Sequence, residues 1–92
     1  KEFSLNYSYP NPFNPVTMIS YTLPKDALVD LTIFDMMGRQ IKNLIDRQET
    51  SGTKTVKWNA TNERGEAVSA GVYLYKLEAG NFRQTKKMVL LK

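Results

Sequence analysis

Neither cysteine nor histidine occurs in this chain, and the two absences together close off much of protein chemistry. Without Cys there are no disulfides and no thiolate to hold a metal or attack a substrate. Without His the commonest general base and the commonest nitrogen ligand for zinc are missing. Long apolar runs are lacking too: none approaches the roughly 20 residues that cross a bilayer as a helix, and no leader with a basic start and an apolar core stands at the front. The first residue is Lys1 rather than Met, as expected of a module from the C-terminal end of a longer protein whose export signal lies upstream. A chain of 92 residues makes one domain. Such a domain buries only about 60–65 % of its unfolded surface and leaves little room for an internal active-site cavity.

The chemistry that remains is sparse. The hydroxyls of Ser4, Ser8, Ser20, Ser51 and Ser69 have no His to activate them, and the nine carboxylates are scattered through turns and outward strand positions. No enzymatic activity, metal or cofactor is expected. The loop from Asn59 to Glu66 offers oxygen ligands, but Arg64 stands where a calcium loop needs glycine and strands flank it. It reads as a polar turn closed by Gly65. Asn6-Tyr7-Ser8 and Asn59-Ala60-Thr61 are formal glycosylation triplets, of consequence only in a host that modifies them.

What the chain does have is period two. Ile19, Tyr21 and Leu23 alternate with Met18, Ser20 and Thr22 over 17–23; Val29, Leu31 and Ile33 share one face over 28–35, with Asp30 and Thr32 on the other; Val56 and Trp58 share one face over 53–59; Tyr73, Tyr75 and Leu77 share one over 72–78, with Val72, Leu74 and Lys76 on the other. Over 40–45, Ile41, Leu44 and Ile45 break strict alternation and predict a bulge or an edge strand. Residues 47–52 read as a polar loop and Ala67-Val68-Ser69 as a very short strand. Asp35-Met36-Met37-Gly38-Arg39 is a hairpin turn. Between Tyr9 and Pro15 three prolines remove backbone donors and forbid a helix or a central strand, so this stretch is an extended segment with Tyr9 and Phe13 lying on the domain. Residues 1–8 read as a linker from an upstream domain, and 9–92 as the folded unit. Strands without helical period, punctuated by turns, predict an all-β, immunoglobulin-like sandwich of about seven antiparallel strands. The one Trp, five Tyr and four Phe could form a sugar-stacking platform. Alternation instead points Trp58, Tyr21, Tyr73 and Tyr75 inward, leaving Tyr9, Phe13 and Phe82 as candidates for an exposed one.

The end of the chain is anomalous. After the Gly80-Asn81 turn, Arg83, Lys86, Lys87 and Lys92 face no acid, whereas residues 1–80 balance nine bases against nine acids. The whole net charge of +4 thus lies on the last strand. A charge so confined is weak support for nucleic acid, which is not an expected partner. Lysines on an edge strand deter aggregation, but Met88, Val89, Leu90 and Leu91 put apolar groups on both faces, where a one-sided strand would alternate. A partner could read such a strand by adding to its edge or by gripping its side chains.

Tyr9-Pro10-Asn11-Pro12-Phe13-Asn14-Pro15, Asp35-x-x-Gly38-Arg39, Trp58, Gly71-Val72-Tyr73 and Lys87-Met88-Val89-Leu90-Leu91-Lys92, in that order, closely resemble the type A C-terminal sorting domain of the type IX secretion system. That domain is related to the immunoglobulin-like domain of the flagellar hook-capping protein. Ser69-Ala70-Gly71 departs mildly from the family's usual Ser-Gly before Val-Tyr. The resemblance implies a signal module on a bacterial protein that reaches the periplasm and then crosses the outer membrane to the cell surface or the medium. It implies as partners an outer-membrane translocon, a shuttle protein and a surface sortase that cuts ahead of the domain, near the linker Lys1 to Tyr9. By position, Lys87 to Lys92 would be the recognition motif. With the adjoining Lys86, the candidate recognition residues are Lys86, Lys87, Met88, Val89, Leu90, Leu91 and Lys92, on an otherwise monomeric domain. The alternatives are a structural assembly domain of hook-capping type and a carbohydrate-binding module.

Overall fold

The structure, a computed structural model, describes residues 2–91; the expected roles of Lys1 and Lys92 fall outside them. Seven strands form in the order β1 (Ser4–Leu5), β2 (Thr17–Leu23), β3 (Ala27–Asp35), β4 (Gln40–Glu49), β5 (Gly52–Trp58), β6 (Gly71–Ala79) and β7 (Phe82–Leu90). Two antiparallel sheets face one another, β1-β2-β5 and β4-β3-β6-β7. Period-two alternation fills the space between them: Leu5, Ile19, Tyr21, Leu23 and Trp58 from the smaller sheet meet Val29, Leu31, Ile33, Tyr75, Leu77, Met88 and Leu90 from the larger. Each such side chain contributes about 1.5–3 kcal/mol on burial, so the expected sandwich is the one observed.

Three elements differ from the sequence reading. Residues 3–8, expected as linker, belong to the packed unit: Ser4 and Leu5 pair with Thr22 and Tyr21, and Leu5 is buried. They supply the seventh strand. A two-residue strand offers too few positions to show alternation, which is why the pattern missed it. Ala67 makes only an isolated bridge with Thr61, not a strand. The polar loop expected over 47–52 shrinks to Thr50-Ser51, because β4 continues to Glu49. As an edge strand β4 tolerates a polar run, and Arg47 and Glu49 form an ion pair at 3.1 Å.

The irregularity of β4 lies where the sequence placed it. Leu31 pairs with Ile45 and Thr32 with Asn43; Ile33 pairs with Lys42 and Phe34 with Gln40. Leu44 and Ile41 are therefore the extra residues of two bulges. The Asn43 N–H donates to Glu63 Oε2 at 2.7 Å, so the polar loop after β5 caps the distorted strand. Within that loop Asn62 Oδ1 accepts the Arg64 and Glu66 N–H groups, at 2.9 and 3.0 Å.

Residues 3–15 run along both sheets. Tyr9 exchanges two backbone hydrogen bonds of 2.9 Å with Met18 on β2, and Phe13 then bridges to Leu90 in parallel with β7. One segment thus closes an edge of each sheet. Prolines are tolerated because the donors needed here belong to Tyr9 and Phe13.

Candidate functional site

β7 begins at a two-residue turn in which Gly80 has φ of +59° and Asn81 does not leave the negative region. This suits a II′ hairpin, with glycine at its first central position. The turn sets which side each later residue takes. Gln84, Lys86, Met88 and Leu90 lie opposite the inward residues of β6, Leu77, Tyr75, Tyr73 and Gly71. Met88 and Leu90 are completely buried. Arg83, Thr85, Lys87 and Val89 take the outer face.

The sequence places Lys86 and Lys87 side by side, but the strand sends them to opposite faces. Lys86 leans over the Tyr7 ring, its Nζ 3.9 Å from the centroid, a cation–π contact of about 0.5–1 kcal/mol at an exposed site. Lys87 is exposed beside Leu74, and Val89 is half-buried beside Val72. Leu74 in turn neighbours Phe34 on β3, over whose ring Lys76 Nζ sits at 5.2 Å. The outer face of the larger sheet therefore carries an apolar patch of Phe34, Val72, Leu74 and Val89 edged by Lys76 and Lys87. Leu91, just past the strand, is 50 % exposed. At the other end of the same face stand Asp30, Asp46 and Glu78, the last paired with Arg83 at 3.2 Å.

The dispersed sequence motifs converge on the end of the sandwich that carries Lys87–Leu91. Phe13 is buried, its ring 5.8 Å from Trp58, which meets Tyr73 edge-on at 5.4 Å. Trp58 Nε1–H donates to Thr61 O at 2.9 Å and the Tyr73 hydroxyl to Ser69 O at 2.6 Å, so each buried aromatic has its polar atom partnered. Asp35 pairs with Tyr73, and Tyr73 with Met88. The Asp35–Arg39 turn thus borders the same cluster. There Asp35 Oδ1 accepts the Met37 and Arg39 N–H groups at 2.9 Å, and Oδ2 takes Arg39 Nε–H at 2.8 Å. The Arg39 backbone N–H, with help from its guanidinium and the Met37 N–H, holds the Asp35 carboxyl below the usual aspartate range.

The open side of β7 is occupied at this end. Phe13 N–H donates to Val89 O at 2.9 Å and Leu91 N–H to Phe13 O at 2.8 Å. One step upstream the Asn11 side chain takes over: Oδ1 accepts Val89 N–H at 2.9 Å and Nδ2 donates to Lys87 O at 3.4 Å. Alternation could not have found Asn11, but an amide side chain between two prolines was a visible signal.

The expected aromatic platform is changed. Phe13 is core, Phe82 stacks on Phe3 at 5.6 Å, and Tyr9 projects at 79 % exposure instead of lying on the domain. Tyr75, fully buried, reaches the lead-in: its hydroxyl accepts Ser8 N–H and donates to Asn6 O, both at 2.9 Å. Burial pushes its pKa up. Tyr21 is raised further, by burial and by its hydrogen bond to Glu49. Among the described residues no group of three or more His, Cys, Asp or Glu could hold a metal ion.

A family model described as the secretion system C-terminal sorting domain matches residues 7–91. Dimeric latent PorU from Porphyromonas gingivalis is similar in structure over 95 % of this chain, with a TM-score of 0.76 at 20 % identity. PorZ, an essential bacterial surface component of the type IX secretion system of the same organism, is similar over 97 %, at 0.66 and 26 %. The chain spans only 9 % and 12 % of those two proteins. FlgD from P. aeruginosa shares the fold over 86 % of this chain and 67 % of its own, at 0.63 and 15 %. No curated protein matches the sequence.

Proposed function

This chain belongs to the secretion system C-terminal sorting domain family, and from that premise we propose that the outward face of β7 is the surface the secretion machinery reads. The domain is a C-terminal sorting signal of type IX secretion, and it marks its protein for passage across the outer membrane to the cell surface or the medium. Such domains are signals and generally carry no catalysis; we take this one to perform no reaction of its own. An outer-membrane translocon, a shuttle protein and a surface sortase are the proposed partners, with an upstream cargo as passenger.

One observation carries the reading: residues scattered from Phe13 to Leu91 pack together to hold Lys87–Leu90 in a fixed strand. That strand commits Met88 and Leu90 to the core and leaves Lys87 and Val89 on an apolar, basic-edged face. An antiparallel strand that packs on one side only commonly alternates apolar and polar residues, and β7 departs from this at Met88-Val89-Leu90. Removing Lys87 to Lys92 outright would also remove core, so point changes test the idea better. Lys87→Ser with Val89→Ser removes a half-buried valine side chain and should cost about 1 kcal/mol. The chain should stay folded, as a thermal melt will show. Fused behind a periplasm-directed fluorescent reporter, in a bacterium that has the secretion system, the variant should leave the reporter in the periplasm. A folded variant delivered normally to the surface contradicts the proposal.

A further inference from the structure

An edge strand presents unpaired N–H and C=O groups to any other strand, and β7 is an edge of its sheet. From Lys87 to Leu91 those groups are taken. In a parallel ladder the residue before Phe13 in register is Asn11, whose backbone would accept Val89 N–H and donate to Lys87 O. Here the side-chain amide does both, through Oδ1 at 2.9 Å and Nδ2 at 3.4 Å. A carboxamide carries the same donor and acceptor pair as a peptide group. Asn11 therefore extends the short bridge made by Phe13 by one further rung.

We propose that Asn11 is a positioning residue for the recognition strand: by closing its edge it fixes Lys87, Val89 and Leu91 and leaves their outward side chains, rather than the strand edge, as what a partner can read. This inference rests on the reading of the outward face of β7 given above. It settles how a partner binds: a strand added alongside Lys87–Leu91 would first have to displace residues 11–13, whereas a side-chain grip would not. Because Phe13 is buried against Trp58, displacement would also uncover core.

The test compares three variants, with Val89 amide exchange measured on the 92-residue chain and export measured with the reporter fusion. Asn11→Ala loses both bonds. It should speed Val89 exchange at least tenfold, leave exchange in the centres of β3 and β6 unchanged, and cut surface delivery at least fivefold. Asn14→Ala, the same change in the same segment at a residue with no hydrogen bond to β7, should alter neither. Asn11→Asp keeps the acceptor for Val89 N–H, so it should retain Val89 protection and deliver at least half as much as the unaltered chain. Normal delivery of Asn11→Ala with fast Val89 exchange overturns the proposal, as does unchanged Val89 exchange. If Asn11→Ala speeds exchange everywhere, Asn11→Asp decides: protected at Val89 yet undelivered, it overturns the proposal too. Loss of export by Lys87→Ser/Val89→Ser alongside normal export of Asn11→Ala would remove only the role of Asn11. Normal export by both would remove the underlying reading.

Discussion

Tyr75 holds more than its place in an alternating row suggests. Its hydroxyl partners both the N–H of Ser8 and the carbonyl of Asn6, so Tyr75→Phe strands two backbone groups. The expected loss is about 1–3 kcal/mol, read as a lower melting temperature, with faster exchange at the Ser8 amide. Ser8 behaves in the opposite way. Its buried Oγ lies near the Tyr75 hydroxyl but makes no hydrogen bond of good geometry among the described residues, so Ser8→Ala should be neutral or stabilising by up to about 1 kcal/mol in the same melt. Asp35 supplies a pH dependence. Its carboxyl is held below its ordinary pKa, so the stability it contributes is present above the unfolded value and is lost as pH falls through the folded one. Urea midpoints should therefore drop more for the unaltered chain than for Asp35→Asn between pH 7 and the range below about 4. At this scale the sequence shows which rings point inward wherever a strand supplies the period, as for Trp58, Tyr73 and Tyr75. It does not for Tyr9 and Phe13, since a proline-rich segment has no period and only packing against Trp58 decides which of the two is buried.

Among the elements, β7 separates its two duties residue by residue. Met88→Ala deletes a fully buried side chain and should cost about 2–5 kcal/mol, with export falling because the fold falls. Val89→Ser, one position on, should cost only about 1 kcal/mol and leave the chain folded while impairing export. Equal loss of stability in the two variants would make β7 a purely structural strand. The two-faced character of this strand is legible in Met88-Val89-Leu90-Leu91, but the closure of its edge is not: the partners Asn11 and Phe13 lie more than 70 residues away in sequence. The bulges of β4 are legible because Ile41 and Leu44 violate alternation. The strand's continuation to Glu49 is hidden, because an edge strand may be polar throughout.

At the scale of the whole molecule, charge that is consecutive in sequence is dispersed in space. Arg83 is bound to Glu78, Lys86 leans on Tyr7, and Lys87 stands on the outer face. Among the described residues these three bases therefore do not form a continuous stripe of the kind a polyanion would follow. The strands of the smaller sheet contain no Asp or Glu at all, and the larger sheet holds both the acidic end and the apolar patch. That arrangement gives the central claim a matched control. Met18 and Lys57 are cross-strand neighbours on the outer face of the smaller sheet, an apolar and basic pair like Val89 and Lys87. The decisive measurement is the ratio of surface to periplasmic reporter for folded Lys87→Ser/Val89→Ser against folded Met18→Ser/Lys57→Ser. The account predicts that the first ratio collapses while the second matches the unaltered chain; equal ratios for the two would contradict it.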